Sequence, residues 1–311
     1  MNLLITGGLG HIGSRFIRSI PPDRYHNVYL VDNLATQRYP SLFNLPDGIS
    51  FRFIEEDILT ADLEALLRGV DVVVHLAART NAEASVESAA EVERINFQGT
   101  ERLARACAAG GNKLIFLSTT SVYGVQEGEV DEECTLDQLK PQSPYADSKL
   151  KTELLLKEMQ DSKGLRFVTC RFGTIFGSSP GMRFHTAVNK FIWQACLGIP
   201  LTVWSSAFNQ QRPYLDLGDA IQALHFIIEK NLFSGEIYNV LTMNATVREI
   251  VGVISEFVPD VQVSYVDSVI MNQLSYQVSC RKFSNLGFRF TGDLRQRIAE
   301  SVALLKGVRR W

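Results

Sequence analysis

Apolar positions along this chain recur in two alternating rhythms. Short, nearly unbroken apolar runs read as strands: Leu3-Leu-Ile5, Val28-Tyr-Leu-Val31, Phe51-Arg-Phe-Ile54, Val70-Asp-Val-Val-Val-His-Leu-Ala-Ala78, Lys113-Leu-Ile-Phe-Leu117 and Arg166-Phe-Val-Thr-Cys-Arg-Phe172. Such runs suit parallel strands covered on both faces. Between them the spacing is helical: Phe16, Ile17 and Ile20 share one face, a long helix is expected over about 89–109, and another starts at Tyr145. Strand and helix in alternation predict an α/β fold, a doubly wound parallel sheet.

The alternation loosens at Gly177-Ser-Ser-Pro-Gly-Met182, a turn-rich break that marks a domain boundary. Beyond it, helices over about 184–197 and 219–229, the strand Leu201-Thr-Val-Trp204, a capping-box helix from Thr246 to Phe257, a strand near 261–266 and a last helix from Asp293 predict a smaller α/β domain. Glu236-Ile-Tyr-Asn-Val-Leu241 reads as one more strand of the first sheet, so the domains interleave. Residues 1–177 plus 236–242 form one, and 178–235 plus 243–311 form the other.

Composition narrows the classes. With 311 residues, 46% of them hydrophobic, the chain holds ample material for a core. A net charge of −3 with both signs interspersed leaves no footprint for nucleic acid or an anionic membrane. Arg309-Arg310 is the nearest thing to a basic cluster and reads as a solvated tail. Five widely spaced cysteines without a Cys-x-x-Cys pair indicate neither a disulfide framework nor a zinc site, and a reducing cytoplasmic setting fits them. No apolar run approaches the ~18 residues of a membrane span, and the short apolar start lacks the features of a signal peptide. A soluble, unprocessed protein is expected.

The chemistry begins at Thr6-Gly-Gly-Leu-Gly-His-Ile-Gly13, directly after the first strand and leading into a helix. Gly7, Gly10 and Gly13 make the turn, admit a pyrophosphate to the backbone and pack helix on strand, with the phosphates at the helix N-terminus. The next strand ends in Asp32, nineteen residues beyond Gly13, where an acid accepts both hydroxyls of an adenosine ribose. A 2′-phosphate there would meet a like charge, so NAD is favoured over NADP. Together these features predict a Rossmann sheet. His75, inside an apolar run, reads as a satisfied core histidine, because no second His, Cys or acid is spaced to share a metal.

Tyr145 and Lys149 stand four apart at a helix start and so share a face. A phenol with a pKa near ~10 is a poor base at neutrality. A neighbouring ammonium and a cationic nicotinamide ring both favour the phenolate, and a lowering of roughly three units corresponds to about 4 kcal/mol. The pair points to Tyr145 as base for a substrate hydroxyl. On its own the same spacing also decorates ordinary surface helices.

In nine blocks the chain resembles the extended short-chain dehydrogenase/reductases, in the nucleotide-sugar epimerase/dehydratase branch that includes UDP-glucose 4-epimerase. The blocks are the glycine turn, Val31-Asp-Asn33, Asp57-Ile58, His75-Leu-Ala-Ala78, Asn96-Phe-Gln-Gly-Thr100, Ser118-Thr-Thr-Ser-Val-Tyr-Gly124, Pro144-Tyr-Ala-Asp-Ser-Lys149, Arg171-Phe-Gly-Thr-Ile-Phe-Gly177 and Arg212-Pro-Tyr-Leu-Asp-Leu-Gly-Asp219. The resemblance implies NAD on Gly7, Gly10, His11, Ile12 and Gly13, with Asp32 and Asn33 on the ribose and Asp57 and Ile58 by the adenine. It places Leu76, Ala77, Ala78 and Asn96 along the cofactor, Tyr145 and Lys149 at the nicotinamide ribose and Phe172 beside the nicotinamide. Thr119 falls on the family's catalytic hydroxyl. Thr80, Thr119, Thr174, Asn189 and Arg212 fall on substrate positions, with Asn189 and Arg212 holding a nucleotide diphosphate. By analogy with many relatives, the helices near 89–109 and 145–162 would form a homodimer contact.

Departures from the family pattern shape the reaction and the substrate. Sugar 4,6-dehydratases carry an acid pair after the threonine; here those positions are Thr120 and Ser121, which argues against dehydration, and the lack of Glu at Ser121 argues against decarboxylation. What remains is NAD-dependent epimerisation of a nucleotide-diphosphate sugar at C4. Thr174 replaces the usual Asn, Pro213 replaces the usual Asp, and Asn272-Gln-Leu-Ser-Tyr276 stands where relatives place a phosphate-clamping arginine, leaving Arg281 or Lys282 as expected substitutes. Two alternatives stay open: an NAD(P)H-dependent reductase of a 4-keto sugar nucleotide or other carbonyl, and a non-catalytic NAD-binding regulator. The intact Thr119, Tyr145 and Lys149 argue against the regulator.

Overall fold

In the computed structural model, which describes residues 1–80, 85–126, 128–266 and 276–308, the apolar runs pair as one seven-stranded parallel sheet. Its spatial order is Ile237–Val240, Arg166–Phe172, Lys113–Thr119, Val72–His75, Asn2–Thr6, Asn27–Asp32 and Phe51–Glu55. Both faces are covered, which explains the unbroken apolar runs. Leu3, Ile5, Val72 and Val74 join one core cluster, while Leu4 and Val73 join the other. Chain order reverses on either side of Asn2–Thr6, and ligands bind such sheets at the carboxyl ends of the strands flanking that point.

A second core lies under the helices Ala187–Cys196, Val247–Phe257 and Leu294–Leu304, built on Phe176, Ile192, Leu201, Tyr214, Ile250 and Ile298. A three-stranded sheet of Met243–Thr246, Gln211–Asp216 and Thr174–Phe176 feeds it. The sequence pattern alone predicts no strand over the middle segment, which carries Pro213, a residue without a backbone donor. It is tolerated because pairing with Thr174–Phe176 begins only at Tyr214, so Pro213 is paired on one side alone. The helix expected over about 89–109 is interrupted. It runs as Ala89–Val92 and Gly99–Gly110 with a π-helical turn, Glu93–Gln98, between them. Asn272-Gln-Leu-Ser275 and Arg309-Arg310 lie outside the described residues. Among the described residues, no helix is long and apolar enough to cross a membrane.

Two fully buried carboxylates tie the last helix to the frame. Asp216 accepts from Gly218 N at 2.6 Å and Asp219 N at 3.3 Å, capping the helix Leu217–Lys230, and from Arg297 Nε at 2.7 Å. Asp219 accepts from Thr242 Oγ1 at 2.7 Å and from the backbone of Thr291 and Gly292 at 2.9 and 3.0 Å. Removing one partner of such a pair strands the other. Arg297→Ala is expected to lower stability by about 2 kcal/mol, discounted for the partial exposure of the arginine. An unchanged urea midpoint would contradict this.

Candidate active site

The glycine turn is set by contacts that only a missing Cβ allows. A Cβ on Gly7, whose φ is +65°, would stand 2.6 Å from Ala77 N, and one on Gly13 would stand 2.5 Å from Gly8 O. The strand ends beneath are locked by a run of hydrogen bonds. Ala77 N donates to Thr6 Oγ1 at 3.3 Å, which lies 2.6 Å from His75 Nδ1; His75 Nε2 lies 2.8 Å from Thr100 Oγ1, which donates to Asn96 O at 2.6 Å. Because the first donor is a backbone N–H and the last acceptor a carbonyl, one direction satisfies every group: Nδ1 accepts and Nε2 carries the proton. His75 is a satisfied core histidine, pushed down to about 3 by burial and then by Lys149.

The turn opens into a cavity of about 500 Å³ that reaches the second core. At one end Asp32 accepts from Leu9 N at 3.1 Å and Leu34 N at 3.0 Å, and Asn33 donates to Asp57 at 3.0 Å. Ile58, Leu76, Ala77, Ala78 and Phe172 line the walls, as do His11 and Ile12. This cradle fits a dinucleotide: Gly7, Gly10 and Gly13 present bare backbone, and His11 Nε2 is buried without a hydrogen-bond partner. Thr80, Thr174 and Arg212 line the same cavity. Two expected site residues do not. Asn96, turned inward by the π turn, brackets Arg79, accepting from its N at 2.8 Å and donating to its O at 3.0 Å. Asn189 does the same to Gly177 N and O, at 3.2 and 3.1 Å. Each amide holds a loop that shapes the cavity. Arg281 and Lys282, the expected substitutes for a phosphate-clamping arginine, are also elsewhere, paired with Glu129 and Glu236 at 2.9 and 2.7 Å.

Thr119, Tyr145 and Lys149 converge at the middle of the cavity. Ser143 accepts from Ala146 N at 3.2 Å and, with Pro144, starts the helix Pro144–Lys163, which puts Tyr145 and Lys149 on one face. Lys149 Nζ lies 6.0 Å from the Tyr145 ring centroid and 4.8 Å from that of Phe116. Thr119 ends its strand, accepts from Ser121 N at 3.1 Å and hydrogen-bonds the Tyr145 phenol. The protein's own groups do not produce the lowered phenol expected from the Tyr-x-x-x-Lys spacing. Burial pushes Tyr145 up to about 12, opposed only by Thr119. Burial likewise pushes Lys149 down to about 8, opposed by Glu153. Desolvation shifts both groups toward their neutral forms, but at about 8 the lysine still keeps its ammonium at neutrality.

Residues 3–240 match the NAD dependent epimerase/dehydratase family. The chain belongs to that family. The uncharacterized UDP-glucose epimerase YtcB of Bacillus subtilis is 33% identical over 77% of this chain and 76% of its own length. A trifunctional UDP-glucose 4,6-dehydratase/UDP-4-keto-6-deoxy-D-glucose 3,5-epimerase/UDP-4-keto-L-rhamnose-reductase of Arabidopsis thaliana is 30% identical over 92% of this chain, which spans only 44% of that enzyme. Among solved structures, a UDP-glucuronic acid 4-epimerase of Bacillus cereus, with NAD and a fluorinated UDP-glucuronic acid bound, superposes with a TM-score of 0.88 at 28% identity, over 98% of this chain and 99% of its own. NAD is therefore the cofactor that the Rossmann wall of this family member holds.

In this epimerase/dehydratase family member, several cavity residues escaped the motif reading. Trp204 lines the far end with the Arg212 guanidinium 6.0 Å from its ring centre, and Arg38, Arg183, His185 and Lys190 line other parts of the cavity. Only the apolar strand around Trp204 was legible; Arg38, Arg183 and His185 sit in loops, where residue type alone gives no address. Behind the centre, Glu153 and Arg171 are both about 3% exposed and pair at 2.6 Å. Ser118 also donates to Glu153, and the Arg171 guanidinium stands 4.9 Å over the Tyr123 ring. Glu153 is thus the carboxylate that offsets two buried cations. Glu153→Gln is expected to lower the Lys149 pKa further, below about 8, and so to move the alkaline limb of the pH–activity profile toward neutrality. It should also cost roughly 3 kcal/mol of stability by stranding Arg171. A limb that stays put would contradict the coupling.

Proposed function

We propose that the protein is an NAD-dependent 4-epimerase of a nucleotide-diphosphate sugar. The observation that carries this reading is the chemistry around the tyrosine. The carboxylates lining the cavity among the described residues are Asp32, Glu56 and Asp57, in the loops after the second and third strands. Thr119 and Ser121 bring hydroxyls to the cavity, Thr120 is turned to Phe172 O at 3.4 Å, and Glu153 is held behind the centre by Arg171 and Ser118. Among the described residues no carboxyl group lines the centre to expel water, whereas hydroxyl proton transfer needs only a base and a hydrogen-bond partner.

When bound, NAD supplies the hydride acceptor at the start of the cycle and the donor at its end. Tyr145 Oη takes the proton of the C4 hydroxyl and returns it at the close. Thr119 Oγ1 hydrogen-bonds the same oxygen in both directions, and Lys149 holds its ammonium beside the phenolate. Arg212, next to Trp204, is suited to the substrate diphosphate by its planar fork of donors. The keto sugar must present its other face before the hydride returns, and the wide cavity between the two cores leaves room for that turn.

UDP-glucose and UDP-glucuronic acid, which appear in the names of relatives, are the first substrates to offer. Each is expected to reach an epimer mixture with no added reductant, followed by NMR. Net consumption of NADH, with no epimer formed, would instead support the keto-sugar reductase. Tyr145→Phe is expected to lose at least ~100-fold in turnover while retaining NAD; near-normal turnover would remove the base from this scheme.

A further inference from the structure

The segment 178–186, which follows the small-sheet strand Thr174–Phe176, lies flush on the glycine turn. A Cβ on Gly181 would stand 2.2 Å from Leu9 O and 2.5 Å from Gly10 O, so only glycine permits the approach. Gly181 N donates to Ser14 Oγ at 3.0 Å, and Ser14 Oγ donates to Ser179 Oγ at 3.1 Å. Ser179 Oγ lies 2.7 Å from His11 Nδ1 and 2.9 Å from His11 O. Ser179 donates to His11 O, and His11 Nε2 is left buried with no hydrogen-bond partner. His185 Nδ1, Arg183 Nε and Thr186 Oγ1 are likewise buried without partners, and all four residues line the one cavity. Arg38 completes the group, with a guanidinium nitrogen 3.6 Å from where a Gly10 Cβ would be. Burial, then Arg38, His185 and Arg183, push His11 down to about 3; burial, then Arg183 and Arg38, push His185 down to about 4. Two guanidinium groups, Arg38 and Arg183, set beside unpartnered buried polar atoms call for an anion.

We propose that the segment 178–186 is a clasp on the diphosphate of the dinucleotide, in which Arg183, His185 and Thr186 join His11 and Arg38 around it. The glycine turn then forms only part of the diphosphate site, and cofactor leaves only when this segment lifts off Leu9 and Gly10. The alternative anion of the same chemistry is the diphosphate of the sugar nucleotide. The placement favours the dinucleotide, because His11 belongs to the turn, Arg38 stands over Gly10, and Arg212 with Trp204 serves the other end. The inference rests on NAD as cofactor and not on the reaction proposed above.

The test measures NAD and UDP affinities by calorimetry in Arg183→Gln/His185→Gln. NAD binding is expected to weaken about 10- to 100-fold, with UDP binding within about twofold of the parent. Unchanged NAD affinity, or a loss confined to UDP, would overturn the assignment. A second readout needs no variant: amide hydrogen exchange across 178–186 in the parent protein should slow when NAD is added. No slowing with NAD, or slowing with UDP alone, would contradict the clasp.

Discussion

A phenol half withdrawn from solvent keeps its proton, and the chemistry proposed for this protein turns on what makes Tyr145 release it. Its surroundings hold it at about 12 and hold Lys149 at about 8, so the protein supplies a poised but unreactive pair. Desolvation is the larger effect on both groups, and the Thr119 hydrogen bond offsets only part of it for the phenol. A further positive charge is required, and an oxidised nicotinamide is one. In the proposed reaction the base is armed only when the hydride acceptor is in place, which would couple proton and hydride transfer without any moving part.

The fold secures that coupling by bringing two kinds of strand end together. The glycine turn and Asp32 follow the first two strands, while Thr119 and Phe172 end two strands on the other side of the switch point. Tyr145 and Lys149 arrive from a helix whose inner face also carries Glu153, and that carboxylate is committed to Arg171 on a neighbouring strand. The buried pair thus sets the local charge balance and fixes helix against sheet at the same time. Glu153 and Arg171 are weak evidence for stability as such, since burying them costs desolvation. Their value here is that they keep a single carboxylate near Lys149 and out of the cavity.

Much of this was legible in the chain. Parallel strands buried on both faces leave unbroken apolar runs, so Val72–His75 and Lys113–Thr119 were readable, as were the Gly7-to-Gly13 turn and the Tyr145–Lys149 face. The failures share a cause, in that each depended on what a residue meets across space. Pro213 sits inside a strand because one of its edges is unpaired there. Asn96 and Asn189 carry side chains that suit a ligand but are used up on the backbone of Arg79 and Gly177. The Tyr-x-x-x-Lys spacing reports that an ammonium is near, but not how strongly desolvation holds the phenol protonated before a nicotinamide is bound. Arg183 and His185 gave no signal at all, lying in a loop whose contact with the glycine turn is set by tertiary packing.

The most direct measurement is the ultraviolet titration of the Tyr145 phenol, taken as the difference between parent and Tyr145→Phe, in NAD-free and NAD-loaded protein. The account predicts no Tyr145 phenolate below about pH 10 without cofactor, and a phenolate forming near pH ~7 once NAD is bound. The same high titration in both samples would show that the cofactor does not arm the base, and would contradict the account.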